Sequence, residues 1–211
     1  MGTRHLAASA ALVLVACGAR VPALPPAVSL QVGVGDEEPR VLWVAPGPDA
    51  WDGPVVGQAV PGFESAFRGR LGRVVGAARL ARWVQGGAQS ASARGGPVLA
   101  HDAPWVLRLR VDGWGLRTGD HAVESFLDLD LSLADETGRT VWQAELACVE
   151  PLLPAPVPGA AQVARAVVGL ENEDLLARYS MLATECGERA WALAADAPGR
   201  RTPGKIGSPG R

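Results

Sequence analysis

A chain of 211 residues that is 48% apolar and 20% charged has globular composition and is long enough for one ordinary domain with appendages. A formal charge of -2 and a pI of about 5.9 exclude the basic footprint of a nucleic-acid binder. The basic residues are almost all arginine, Lys205 being the only lysine, and many of the 26 glycines and 17 prolines crowd toward the ends.

Met1 to His5 carries one arginine and one histidine, and Leu6 to Ala16 carries no charge. This is the n-region and short h-region of a secretory signal, too short to span a bilayer. Leu14-Val15-Ala16-Cys17 resembles the lipobox of bacterial lipoproteins. That resemblance implies removal of residues 1–16, lipidation of Cys17 and stable anchoring, because several acyl chains hold where one does not. The alternative is an ordinary signal cut near Ala19, with Cys17 incidental. By that resemblance Gly18, where retained inner-membrane lipoproteins of enteric bacteria often have Asp, favours the outer membrane in a source with two membranes, and the domain is expected to face the periplasm. Residues 17–39 hold Pro22, Pro25, Pro26, Pro39 and the acidic Asp36-Glu37-Glu38, the composition of a semi-extended tether. Val28, Leu30, Val32 and Val34 alternate there, so a short edge strand is the competing reading.

A single domain is expected over 40–196. Arg40 to Ala45 reads as a buried strand, and Phe63, Phe67, Leu71, Val74 and Val75 recur at helical spacing with Arg68, Arg70 and Arg73 on a solvated face. Ala81 to Gln85 is expected as a second strand and Gly86 to Pro97 as a loop. Three alternating segments follow, at Trp105–Val111, Leu127–Leu133 and Trp142–Cys148, the pattern of an antiparallel meander packed on one face. The turn Asp135-Glu136-Thr137-Gly138 sets Leu131 opposite Trp142 and Leu129 opposite Ala144. One register of the preceding hairpin sets Arg108 opposite Asp130 and Arg110 opposite Asp128. Asn172 is a candidate N-cap for a long helix with Leu175, Tyr179, Leu182, Cys186, Ala190 and Leu193 on its apolar face, ending near Asp196. Residues 197–211, with Arg200, Arg201, Lys205 and Arg211, cannot bury enough apolar surface to fold.

Cys148 and Cys186 fall on the apolar faces of their elements, and in an exported chain such a pair points to a disulfide, with two free thiols as the alternative. No catalytic or metal-binding motif is present: His101 and His121 fall in loops, and Asp128 and Asp130 stand beside arginines. Neither a cofactor nor a metal is expected. Trp43, Trp105 and Trp142 read as core. Trp114, between Gly113 and Gly115, falls on the outward parity and with Arg117 makes a candidate interface; a bulge at Gly113 would instead turn it inward.

The stretch from Trp105 to Cys148, with Trp114-Gly115, Thr137-Gly138 and Trp142, and then Cys186, resembles a group of uncharacterised bacterial lipoproteins over about half the chain. More loosely, the element order resembles the auxiliary lipoproteins of ABC-type lipid transport systems, which implies a lipid ligand. The expectation is a two-layer α+β sandwich: a mainly antiparallel sheet ordered strand–helix–strand–three-stranded meander–helix, with helices on one face. Its function is expected to be that of a non-catalytic envelope interaction or assembly module, with lipid transport and hydrolysis as alternatives. Its partners are the membrane, through Cys17, and an envelope protein.

Overall fold

The computed structural model describes residues 25–43, 62–118, 123–153 and 167–196. The elements are β1 (Ala27–Val34), β2 (Arg40–Trp43), α1 (Phe63–Val74), α2 (Ala77–Arg94), β3 (Val98–Leu99), β4 (Val106–Thr118), β5 (Val123–Ala134), β6 (Thr140–Leu153) and α3 (Asn172–Ala195). The sheet is mixed, in the order β3-β1-β4-β5-β6, with β2 also on β4. β4, β5 and β6 form the antiparallel meander, whereas β1 lies parallel to both β3 and β4, and β2 lies parallel to β4. The helices pack on one side, so the α+β expectation holds.

The alternating residues Val28 to Val34 do form a strand, but it lies inside the sheet rather than at an edge. Ser29 to Val34 pairs with Val106 to Val111, so the second half of the expected tether belongs to the domain. β1 and β2 share one edge of β4. The chain breaks between them at the level of Asp112, where β4 itself is irregular.

The strand expected at Ala81–Gln85 and the loop expected at Gly86–Pro97 are corrected: one helix, α2, runs through both to Arg94. Leu80, Val84 and Ala88 are buried at steps of four, a stripe too narrow to stand out among glycines, serines and alanines. Tertiary packing supplies what propensity lacks. A Cβ on Gly87 would overlap the Thr184 carbonyl of α3, and a Cβ on Gly187 would overlap the Val84 carbonyl of α2. The two helices therefore touch backbone to backbone, which only glycine at both positions permits.

α3 buries Leu175, Tyr179, Leu182, Cys186 and Ala190 as expected, while Leu193 is exposed and Trp191 and Ala194 carry the stripe to the helix end. Its N-cap is Glu171 rather than Asn172. The Asn172 side chain serves instead as an acceptor for Arg70, Nε to Oδ1 at 2.9 Å. Arg70 also donates to the Val168 carbonyl at 3.0 Å and to that of Leu170, so it is a clamp and not part of a solvated stripe.

In the meander the apolar parity is as expected and the register is two residues off. Leu133 faces Trp142 and Leu131 faces Ala144, with an irregularity between Leu133 and Ala134. The cause lies in the turn. Asp135 Oδ1 accepts from the Thr137 N–H at 3.0 Å, its hydroxyl at 2.6 Å and the Arg139 N–H at 3.1 Å, which widens the loop. Those bonds, the Thr137 hydroxyl first, hold the Asp135 carboxyl below the usual range. Gly138, with φ 80°, supplies the left-handed residue the turn needs.

Cys148 of β6 and Cys186 of α3 are joined in a disulfide that staples sheet to helix across 38 residues. Trp105 and Trp142, expected in the core, are only partly buried at its rim.

The glycine contact separates two adjacent substitutions. Gly86→Ala has open space and gains helix propensity, so it is expected to stabilise by up to about 1 kcal/mol. Gly87→Ala forces α2 off α3 and is expected to destabilise by about 1–3 kcal/mol despite the same propensity gain. Urea midpoints of the two variants, moving in opposite directions, check this.

Candidate functional site

The layer of helices covers one face of the sheet, so chemistry available to a partner gathers on the other face and at the open edge. On β4 the inward residues are Leu107, Leu109 and Val111, then Trp114 and Leu116, all buried. The phase changes because the β4–β5 register shifts between Val111 and Gly113, leaving Asp112 as the extra residue. Trp114 is therefore turned inward and is 0% exposed, which removes it as a surface anchor. Its ring meets Tyr179 of α3 edge-on, centroids 6.2 Å apart, and the Tyr179 hydroxyl donates to the Gly115 carbonyl at 2.6 Å. Burial pushes the Tyr179 hydroxyl pKa upward, so the tyrosine stays neutral. Gly115 (φ 142°) cannot carry a side chain, because a Cβ would strike the backbone of Arg40 on β2.

The bulge also sets the outward charges. Arg110 donates to Asp130 at 2.7 Å and Asp112 at 2.8 Å; the Asp130 hydrogen bond leads in holding its pKa up. The expected pairs are thus corrected: Arg110 faces Asp130, while Arg108 faces Ser132 and bonds Gln31 at 3.2 Å. Arg40 bridges Asp36 at 2.7 Å and reaches the Asp112 carbonyl at 3.3 Å, and its hydrogen bond holds the Asp36 carboxyl low. Arg117 is not a loose cation, since it bonds Glu124 at 2.8 Å with both side chains partly covered.

Asp128 stands among these groups opposite Gly113. It is half-buried, and burial pushes its carboxyl pKa up; Arg117 and Arg40 oppose that shift, while Asp112 and Asp130 add to it. At the outer edge, Glu145 of β6 lies directly opposite Asp130. Gln143, Glu145, Ala147 and Val149 are exposed along that edge.

A concavity of about 530 Å³ lies where α2 and α3 end, over Ala91, Gly95, Gly96 and Ala192, with the Arg94–Glu188 pair (2.8 Å) at its rim. Trp191 lines it, though its indole N–H is buried against Gly96. Nothing in the sequence pattern announces this groove, because the part of α2 that lines it, Ala91 to Arg94, falls in the Gly/Ser/Ala-rich stretch whose composition predicts a loop.

His101 and Asp102 do bond at 2.8 Å, yet both side chains are almost wholly in solvent, at 98% and 97% exposure, and among the described residues no nucleophile is bonded to them. Among the described residues no group of His, Cys, Asp or Glu is arranged to hold a metal ion, and no helix is long and apolar enough to cross a membrane. Cys17, His121 and residues 197–211 lie outside the described residues.

No protein-family model matches this chain, and no curated protein matches it. Among solved structures it is similar to the PelC dodecamer from Paraburkholderia phytofirmans, at 17% identity and a TM-score of 0.35, covering 85% of this chain and 94% of that one. It is also similar to the hypothetical protein CT253 from Chlamydia trachomatis, at 10% identity and a TM-score of 0.30, covering 80% and 99%. Lipoprotein GNA1162 from Neisseria meningitidis matches at 14% identity and a TM-score of 0.23, covering 66% and 95%.

Asp128 gives a test of the outward face. Because burial raises its folded-state pKa, the ionised carboxylate destabilises the fold at neutral pH. That penalty fades as pH falls through the folded-state value. Asp128→Asn is expected to raise the urea midpoint at pH 7 and to match the parent below about pH 3.9, the ordinary aspartate value. A variant less stable at pH 7 would show that Arg40 and Arg117 hold the carboxylate in place.

Proposed function

We propose that this protein is a lipid-anchored bacterial envelope protein whose folded domain works by binding a partner rather than by catalysis. The observation that carries the reading is the Cys148–Cys186 disulfide, buried between β6 and α3. A structural disulfide belongs to an oxidising compartment. It comes with an uncharged h-region ending in Leu14-Val15-Ala16-Cys17, so one short segment accounts for export and attachment together.

Lipid on Cys17 fixes the chain to a membrane, and residues 18 to 26 then separate the lipid from the first strand. Gly18 after the anchor supports the outer membrane, with the domain in the periplasm. The domain's outward side offers a patterned set of charges and an exposed strand edge, which are recognition features. His101, in open solvent, gives hydrolysis no support.

Mass spectrometry of the mature protein is expected to find acylated Cys17 at the N-terminus; an unacylated chain cut near Ala19 overturns the anchor. A non-reducing digest is expected to yield a linked Cys148–Cys186 peptide. Replacing both by serine is expected to cost roughly 3–4 kcal/mol in denaturant titration. Cross-linking in cells is expected to capture a defined envelope protein, and turnover of ester or peptide substrates by the purified chain would replace the binding reading with an enzymatic one.

A further inference from the structure

We propose that the open edge of β6 is a strand-addition site for an extended partner segment that alternates apolar and basic residues. This names the partner chemistry for the binding reading above and rests on it. β6 is the last strand in the sheet order, and it pairs with β5 along nearly its whole length, from Thr140 to Leu153. The irregularities fall only near its ends, so a long regular stretch presents N–H and C=O groups with no strand beyond them among the described residues. Pro151 lacks an N–H and its carbonyl accepts from Arg178 at 3.3 Å, which closes one end. The open stretch is therefore 141–149.

Natural edge strands are usually blunted by charged side chains, lysine above all, by proline, by shortness or by a covering element. β6 is long and has no Lys or Arg between Thr140 and Leu153. On the helix side Trp142, Ala144 and Leu146 are only partly buried, a rim of apolar surface that an added strand's apolar residues would cover. On the other side Glu145 lies directly opposite Asp130, and like charges so placed repel. Asp130 is satisfied from its far side by Arg110 at 2.7 Å, whereas Glu145 has no ion pair among the described residues.

The domain already contains the complement. β4 reads Leu107-Arg108-Leu109-Arg110-Val111, apolar toward the helices and basic outward, and it pairs with the acid-bearing β5. A segment of the same pattern beside β6 would set a basic residue against Glu145 and apolar residues against Trp142 and Leu146. Main-chain bonds would provide affinity and the alternation specificity, as in strand addition generally.

The test uses the full chain and three ten-residue synthetic peptides: alternating valine and arginine, alternating valine and glutamate, and the first with a central proline. The valine–arginine peptide is expected to bind and to slow amide exchange in 141–149 by about tenfold or more, with the other two failing. Glu145→Arg is expected to weaken binding about tenfold, equivalent to about 1.4 kcal/mol. Val149→Arg, at an exposed position, serves as a second variant with the same expected direction. Binding without protection of 141–149, equal binding of the proline peptide, or self-association through β6 that the peptide does not displace each overturns the proposal. A captured envelope partner that leaves β6 unprotected sinks the edge site alone, whereas failure to capture any partner in cells sinks the binding reading instead.

Discussion

One extra residue in a strand organises this domain. β4 lies at the centre of the sheet, paired with β5 on one side and with β1 and β2 on the other. The bulge at Asp112 shifts its alternation by one, so Trp114 and Leu116 join Leu107, Leu109 and Val111 on the helix side. Without that shift two glycines would face α3 and a tryptophan would face water. With it, Trp114 meets Tyr179, the Tyr179 hydroxyl reaches the Gly115 carbonyl, and β2 can lie against a glycine that has no side chain in the way. The break between β1 and β2 falls at the same level, so the neighbouring strand accommodates the defect instead of propagating it.

The same residue ties core packing to surface charge. Asp112 accepts from Arg110 through its side chain and from Arg40 through its carbonyl. The outward ion pairs are exposed and screened, so each adds little to stability. What they fix is the placement of charge: arginines on β2 and β4, and acids on β5 and β6, in rows. The burial of Asp128 among them is of another kind, since the fold tolerates an ionised group it does not fully compensate, a common trait of recognition surfaces and sites.

Much of this was legible in the sequence, and the failures share a cause. Alternation gave the meander and its buried face, because period-two patterns over β4, β5 and β6 depend only on which side is dry. Those faces, in an exported chain, pointed to a Cys148–Cys186 bridge over two free thiols, and the structure has the bridge. The hairpin register did not follow, because Asp135 spends its side chain inside the turn and widens it. α2 was hidden because its stability comes from a backbone contact at Gly87 and Gly187, and glycine in sequence reads as a breaker. Trp114 posed two outcomes that differ by a single residue of phase, and only the β5 register decides between them.

Arg70 has a reach that its place on an exposed helix face conceals. One guanidinium near the start of the domain binds the Asn172 side chain and the carbonyls of Val168 and Leu170, about a hundred positions later. α1 and the entrance to α3 are thereby a single mechanical unit, although α2 and the four strands β3 to β6 separate them in the chain. The first helix cannot complete its contacts until the last segment has been made. Synthesis of this domain thus leaves the early half waiting for its end, and a chain cut after the sheet would lose the clasp together with Tyr179 and Cys186, the α3 groups that hold the sheet's inner face.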